Sequence, residues 1–200
     1  MKTSFRLDQF RSSIAQFITF NEEEWQIFIQ HRTFLTIKKK DHFAVEGKVC
    51  DEFGFIVSGS MRYYHLKDGT EITGYFSIEN ELVSSYKSFI TRKPGKVYIQ
   101  ALVKTELILI TYPNMQLMLN NPLLAYKMER FGRLIAEYCV CCYEDRITAF
   151  ITQTPGERYL EMVEKESHIL LRIPQHYIAN YLGITPVSLS RIRKRTVYKN

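Results

Sequence analysis

The segment from Ile173 to Arg195 reads Ile-Pro-Gln-His-Tyr-Ile-Ala-Asn-Tyr-Leu-Gly-Ile-Thr-Pro-Val-Ser-Leu-Ser-Arg-Ile-Arg-Lys-Arg and constrains its own folding more than any other stretch. Ile178, Ala179 and Leu182 share one face of a helix expected from about Pro174 to Tyr181. Ala179 is small where two crossing helices need close approach. Gly183 supplies the positive φ of a sharp turn, and Ile184 is placed to fill the space beneath it. Thr185 is an N-cap, and Pro186 stands at the first helical position, where no backbone donor is wasted. On this second helix Leu189 and Ile192 face inward, while Val187, Ser188, Arg191 and Arg195 face outward. Two short helices about a glycine turn make a helix-turn-helix.

The outward row is short, polar and basic. From Leu171 to Asn200 the Lys and Arg residues are Arg172, Arg191, Arg193, Lys194, Arg195 and Lys199, with no Asp or Glu. These six positive charges equal the net charge of +6, so residues 1–170 sum to zero. A basic terminal module on a neutral body is the electrostatic footprint of a polyanion binder. The expected DNA-facing set is Thr185, Val187, Ser188, Arg191, Arg193, Lys194 and Arg195. Arg191 is the expected base reader, since a guanidinium bridges guanine O6 and N7. Val187 suits a thymine methyl group and Ser188 a base or a phosphate. Arg193, Lys194, Arg195 and Lys199 suit the phosphate backbone. The bland alternative is an ordinary helical hairpin with a basic outer face.

Upstream, residues 4–35 read as short amphipathic helices, with a capping box at Asn21 and Glu24. From about Thr33 to Tyr112 the texture turns to strands, at residues 53–57, 61–66, 72–76, 97–103 and 107–111. Asp68-Gly69 between two such runs marks a tight hairpin. Short strands at this spacing imply a jelly roll. Pro113 opens a helical region in which Met128, Phe131, Ile135, Tyr138 and Cys142 step by three and four, a heptad-type seam expected to pair with a second copy. Thr154-Pro155-Gly156-Glu157 is a second capping box. The domains expected are 1–120 for the roll, 121–150 for the dimerisation helix and 151–200 for the DNA-binding module.

Taken together, the chain resembles the Crp/Fnr family, that of the cyclic-AMP receptor protein and FNR, over nearly its full length. Asp51 to Met61 is similar to the family's strand–glycine–strand signature, and Ile173 to Arg195 to its recognition unit. The resemblance implies an α+β fold: an N-terminal cyclic-nucleotide-binding-like β-roll, a long dimerisation helix and a C-terminal winged helix-turn-helix. It implies a homodimeric transcription regulator on a palindromic DNA site, working with RNA polymerase. Arg191 falls at the family's guanine-reading arginine. Pro186 and Val187 stand where the family often has an Arg and a Glu, so the base preference is expected to differ.

The sensor half departs from the cyclic-nucleotide binders. Their Gly-Glu and Arg-Ser pairs correspond here to Ser84-Ser85 and Gly95-Lys96. A cyclic phosphate wants a fixed guanidinium fork, which Lys96 does not supply, so cyclic AMP is not the expected effector. An effector pocket, if present, would draw on Tyr63, Glu71, Ser84, Ser85 and Lys96. Neither cofactor nor metal is implied. Cysteines 50, 139, 141 and 142 read as reduced thiols, and no cysteine precedes Cys50 to hold an iron–sulfur centre.

No apolar run approaches the roughly 20 residues a membrane span requires, and no apolar stretch of leader type follows the first residues, so a cytoplasmic protein is expected. The alternative is a cupin-like module that senses a small molecule through a protein partner or carries a metal-dependent activity. Histidines 42 and 65 stand unpaired in the strand region, so no enzyme is expected.

Overall fold

The computed structural model describes residues 2–197. Helices α1 (Lys2–Ile14) and α2 (Glu22–Gln30) lead into strands β1 (Arg32–Ile37), β2 (His42–Ala44), β3 (Glu52–Ser58), β4 (Ser60–Lys67), β5 (Thr70–Ile78) and β6 (Leu82–Val83). Helix α3 (Tyr86–Thr91), strands β7 (Tyr98–Ala101) and β8 (Thr105–Thr111), and helix α4 (Tyr112–Leu119) follow. The rest is helical: α5 (Ala125–Thr152), α6 (Pro155–Lys165), α7 (Ser167–Arg172), α8 (Gln175–Tyr181) and α9 (Pro186–Val197). The chain divides into two compact units, one of residues up to 65 with 75–137, the other of residues 66–74 with those from 138 onward.

In the first unit two four-stranded sheets, ordered β1-β8-β3-β6 and β2-β7-β4-β5, enclose a common core. Ile37, Ile56, Val83, Leu107 and Leu109 from one sheet meet Ala44, Met61, Ile99 and Ala101 from the other. The register pairs Phe53 with Ile110 and Phe55 with Ile108, so these four point to the opposite face of their sheet. That face is covered as well. Phe10 of α1 lies 4.8 Å from Phe55 between ring centroids, and Phe131 of α5 lies 6.3 Å from Phe53. Burial on both faces explains why β3 and β8 read as continuous apolar runs rather than alternating ones. Each large side chain so buried stabilises the fold by roughly 1.5–3 kcal/mol.

Gly59 joins β3 to β4 at φ +111°, and a Cβ there would lie 2.7 Å from the Thr105 Cα, so no other residue fits. Asp68 and Gly69 both take positive φ in the β4–β5 hairpin, as a tight primed turn requires.

Three expectations change. Residues 32–37, at the edge of the predicted helical stretch, form β1, because Arg32-Thr-Phe-Leu-Thr-Ile pairs with β8 from Arg32↔Ile110 to Ile37↔Thr105. The dimer seam also divides. Met128, Phe131 and Ile135 are buried in the chain's own first unit, which leaves only Tyr138 exposed and Cys142 half-buried. A lone helix reads the same whether its apolar stripe meets a partner or its own sheet. Third, no strand occurs among the described residues from 138 onward, so the implied wing is not formed there. Ser167–Arg172 fold instead as α7, whose Ile169 is buried.

Candidate nucleic-acid interface

In the second unit, Ile169, Ile173, Ile178, Ala179, Leu182 and Leu189 are buried together with Tyr159 and Met162 of α6. The α6 start is fixed by the Thr154–Glu157 capping box. Helix α8 ends in a Schellman turn. The Ile184 amide donates to the Ala179 carbonyl (2.9 Å) and the Gly183 amide to the Asn180 carbonyl (3.0 Å), with Gly183 at φ +72°. Beside this turn the Phe150 ring approaches to 3.3 Å of where a Gly183 Cβ would stand. Phe150 in turn lies under two guanidinium groups, those of Arg146 (4.8 Å) and Arg158 (4.5 Å). Arg146 donates to the Tyr181 carbonyl and Arg158 to the Leu182 carbonyl, each at 3.0 Å. Two cations therefore satisfy the carboxyl end of α8, where the helix dipole favours positive charge.

Helix α9 begins at this rigid turn. The Thr185 hydroxyl accepts from the Ser188 amide (3.1 Å), and the Leu189 amide donates to the Thr185 carbonyl (3.0 Å). Val187, Arg191, Arg193, Lys194 and Arg195 are exposed, as is Thr185. Ser188 differs from expectation. It is half-buried, and its hydroxyl lies 3.0 Å from that of Thr185. The residue that shares the outward row with Val187, Arg191 and Lys194 is Ser190, at helical spacing i+3, i+4 and i+7 from Val187. Counting the 100° steps from the inward pair Leu189 and Ile192 together, which puts Ser188 nearer that face than Ser190, would have revealed this. Among the described residues no carboxylate pairs with Arg191, Arg193, Lys194 or Arg195, and Lys199 lies outside the described residues.

No protein-family model matches this sequence, and no curated protein matches it. Solved structures do. The c-di-GMP-responsive global regulator CLP of Xanthomonas campestris aligns with a TM-score of 0.71 at 16% identity, covering 90% of this chain and 93% of that one. FixK2 of Bradyrhizobium japonicum aligns at 0.67 and 17%, covering 84% and 85%. A chain from Eubacterium rectale described as a transcriptional regulator of the Crp/Fnr family aligns at 0.64 and 18%, covering 90% and 85%. The fold is the Crp/Fnr fold.

Within the Crp/Fnr roll, the expected effector residues take the following places. Ser84 donates to the Glu52 carbonyl (3.0 Å), and its hydroxyl lies 3.6 Å from the Cys50 sulfur. Ser85 is buried ahead of α3, and a Cβ on Gly95 would come within 2.9 Å of its hydroxyl. Ser84, Ser85 and the loop at Gly95 thus come together, and Lys96 beside them is exposed, its carbonyl 2.6 Å from His65 Nδ1. Ser88, which sequence reasoning missed, accepts from the Cys50 amide and donates to the Lys93 carbonyl, while Arg92 donates to the Cys50 carbonyl and pairs with Asp51. Tyr63 packs 5.6 Å from Tyr75, and its hydroxyl accepts from Ser77. Glu71 lies on the hairpin tip that belongs to the second unit. Burial pushes the Glu52 carboxyl above its usual range, with the Asp51 charge adding to the effect.

Along the Crp/Fnr long helix, the exposed large apolar residues are Tyr126, Tyr138, Val140, Tyr143, Ile147, Phe150 and Ile151. Burial also raises the Cys139 thiol, with neighbouring Cys142 contributing, so this group stays protonated at neutral pH. Among the described residues no group of three or more His, Cys, Asp and Glu is arranged to hold a metal ion, and no helix is long and apolar enough to cross a membrane.

Proposed function

We propose that this chain is a sequence-specific DNA-binding transcription regulator of Crp/Fnr type, working as a homodimer on a palindromic site in the cytoplasm. The observation that carries the reading is the exposed row of Val187, Ser190, Arg191 and Lys194 on a helix whose start is held rigidly by the Gly183 turn. Unpaired cations on a preorganised helix cost little to bring to DNA. Arg191 reads a guanine, Val187 meets a thymine methyl, and Ser190 joins them at base edges. Thr185, Ser188, Arg193, Lys194 and Arg195 hold the phosphate backbone and set the register.

The dimer forms along Val140, Tyr143, Ile147 and Phe150, which step by three and four on the exposed side of α5. This face replaces Met128, Phe131 and Ile135 as the contact between copies. A signal in the roll, from an effector other than cyclic AMP, would act by favouring one separation of the two recognition helices. A role beside RNA polymerase, and a function without catalysis, follow from the resemblance.

The test is selection of duplexes from a random library, followed by anisotropy titration at several salt concentrations. The expected outcome is a palindrome with half-sites roughly one helical turn apart, and an affinity that falls steeply with salt. A purified protein that retains no duplex even in dilute buffer would overturn the reading.

A further inference from the structure

Asn180, near the carboxyl end of α8, spends both ends of its carboxamide on one strand. Its Nδ2 donates to the Glu71 carbonyl at 2.8 Å, and its Oδ1 accepts from the Thr73 amide. A residue in a neighbouring parallel strand would bond in the same way, to the carbonyl of one residue and the amide of the residue two further on. Strand β5 is the last in its sheet, so among the described residues this edge has no strand partner. Thr73 is 2% exposed. Without Asn180 its amide would lose a partner in a place where water is scarce, which makes the bond one the protein does not give up cheaply. Asn180 also precedes the Gly183 turn by three positions, and that turn aims α9. The strand it grips runs on from Thr73 into Tyr75–Ile78 of the β-roll.

We propose that Asn180 is a tie by which the β4–β5 hairpin restrains the helix-turn-helix, so that the position of β5 is felt at α9. The inference rests on the DNA-binding reading above. The row on α9 is exposed, so the tie does not act by covering it. It acts by limiting the freedom of the module. A dimer on a palindrome must present two recognition helices at one separation, and preorganisation strengthens such two-point binding more than binding to a single half-site.

The experiment uses the full chain and its Asn180→Ala and Asn180→Asp variants, each first checked for an unchanged fold by thermal melting. Asn180→Asp keeps an acceptor for the Thr73 amide but turns a carboxylate oxygen toward the Glu71 carbonyl. Amide hydrogen exchange at Thr73 is read together with affinity for the palindrome selected by the wild-type protein and for its isolated half-site. In Asn180→Ala, Thr73 exchange should quicken about tenfold or more, as a local opening is eased. Palindrome affinity should fall about fivefold or more while half-site affinity stays within about twofold. Asn180→Asp should lie between the two proteins in both readings.

Unchanged Thr73 exchange would overturn the tie. So would faster exchange with unaltered or improved palindrome affinity, or an equal loss on palindrome and half-site. If the wild-type protein selects no duplex, the DNA reading fails and this role fails with it, while exchange at Thr73 still reports whether the bond exists.

Discussion

Arg146 lies with its guanidinium carbon 3.8 Å from the Tyr181 ring centroid, and the same group donates to the Tyr181 carbonyl at 3.0 Å. One side chain of the long helix thus holds both the ring and the backbone at the carboxyl end of α8. Burial lowers the Arg146 pKa, and the neighbouring Tyr181 and Glu166 work against that shift. The planar fork allows stacking and hydrogen bonding together, which an ammonium does not. Arg146→Lys should therefore behave as a loss, destabilising the protein by about 1–3 kcal/mol in urea titrations, the range for a hydrogen bond from a charged donor. A neutral result would mean that the stacking carries nothing.

Gly183→Ala should be destabilising by about 1–2 kcal/mol, because its φ of +72° is unfavourable for a residue with a Cβ. The new methyl would also press on Phe150 at 3.3 Å. Gly69→Ala, also at positive φ but with nothing within 4 Å of its Cβ, isolates the backbone part of the effect. Chemical denaturation of both variants checks the difference, and equal losses would remove Phe150 from the account.

Arg191→Ala should lose about 1–3 kcal/mol of DNA affinity at one base pair per half-site and relax the preference there. Arg193→Ala, on the flank of the same helix, should weaken all sequences alike and reduce the salt slope by about one per protomer. Titration against a panel of single-base site variants distinguishes them. Uniform losses from both substitutions would show that Arg191 reads no base.

Ile147→Asp should yield a folded monomer, because Ile147 is 58% exposed. Ile135→Asp should instead unfold the roll, since a carboxylate there would be buried without a partner. Sedimentation and thermal melting on both variants separate the two faces of α5. A folded, monomeric Ile135→Asp protein would restore the seam expected from sequence.

Glu52→Gln should raise Tm at neutral pH. The native carboxyl has a raised pKa through burial, so the native state favours the protonated form and is penalised once the group ionises. Its stabilising contribution is present at acid pH and lost as pH rises through the native pKa. The Tm difference between variant and wild type should accordingly shrink as the pH is lowered toward the carboxylate range. A gap that widened in acid would reverse the assignment.

Local chemistry alone determined the helix-turn-helix. The Thr154–Glu157 box, the Gly183 turn, the Thr185 cap and the inward Leu189 all depend on partners within a few residues, which makes them legible in a linear string. The hairpin at Asp68-Gly69 was legible for the same reason. The separation of Ser188 from Ser190 was within reach too, since the helical angle from the inward pair Leu189 and Ile192 decides it.

Other features depend on contacts between residues far apart in the chain, and no local pattern encodes them. The apolar stripe of Met128, Phe131 and Ile135 has the period of a dimer helix, yet its partner is the sheet carrying Phe53. Strand β1 exists because β8, some seventy residues later, offers a ladder. Asn180 looks like one polar residue on a short helix until Glu71 and Thr73 arrive beside it from a hairpin 107 or more positions earlier. Periodicity determines that a face is buried; only the tertiary structure decides against what, because burial is equally favourable against any apolar surface of fitting shape.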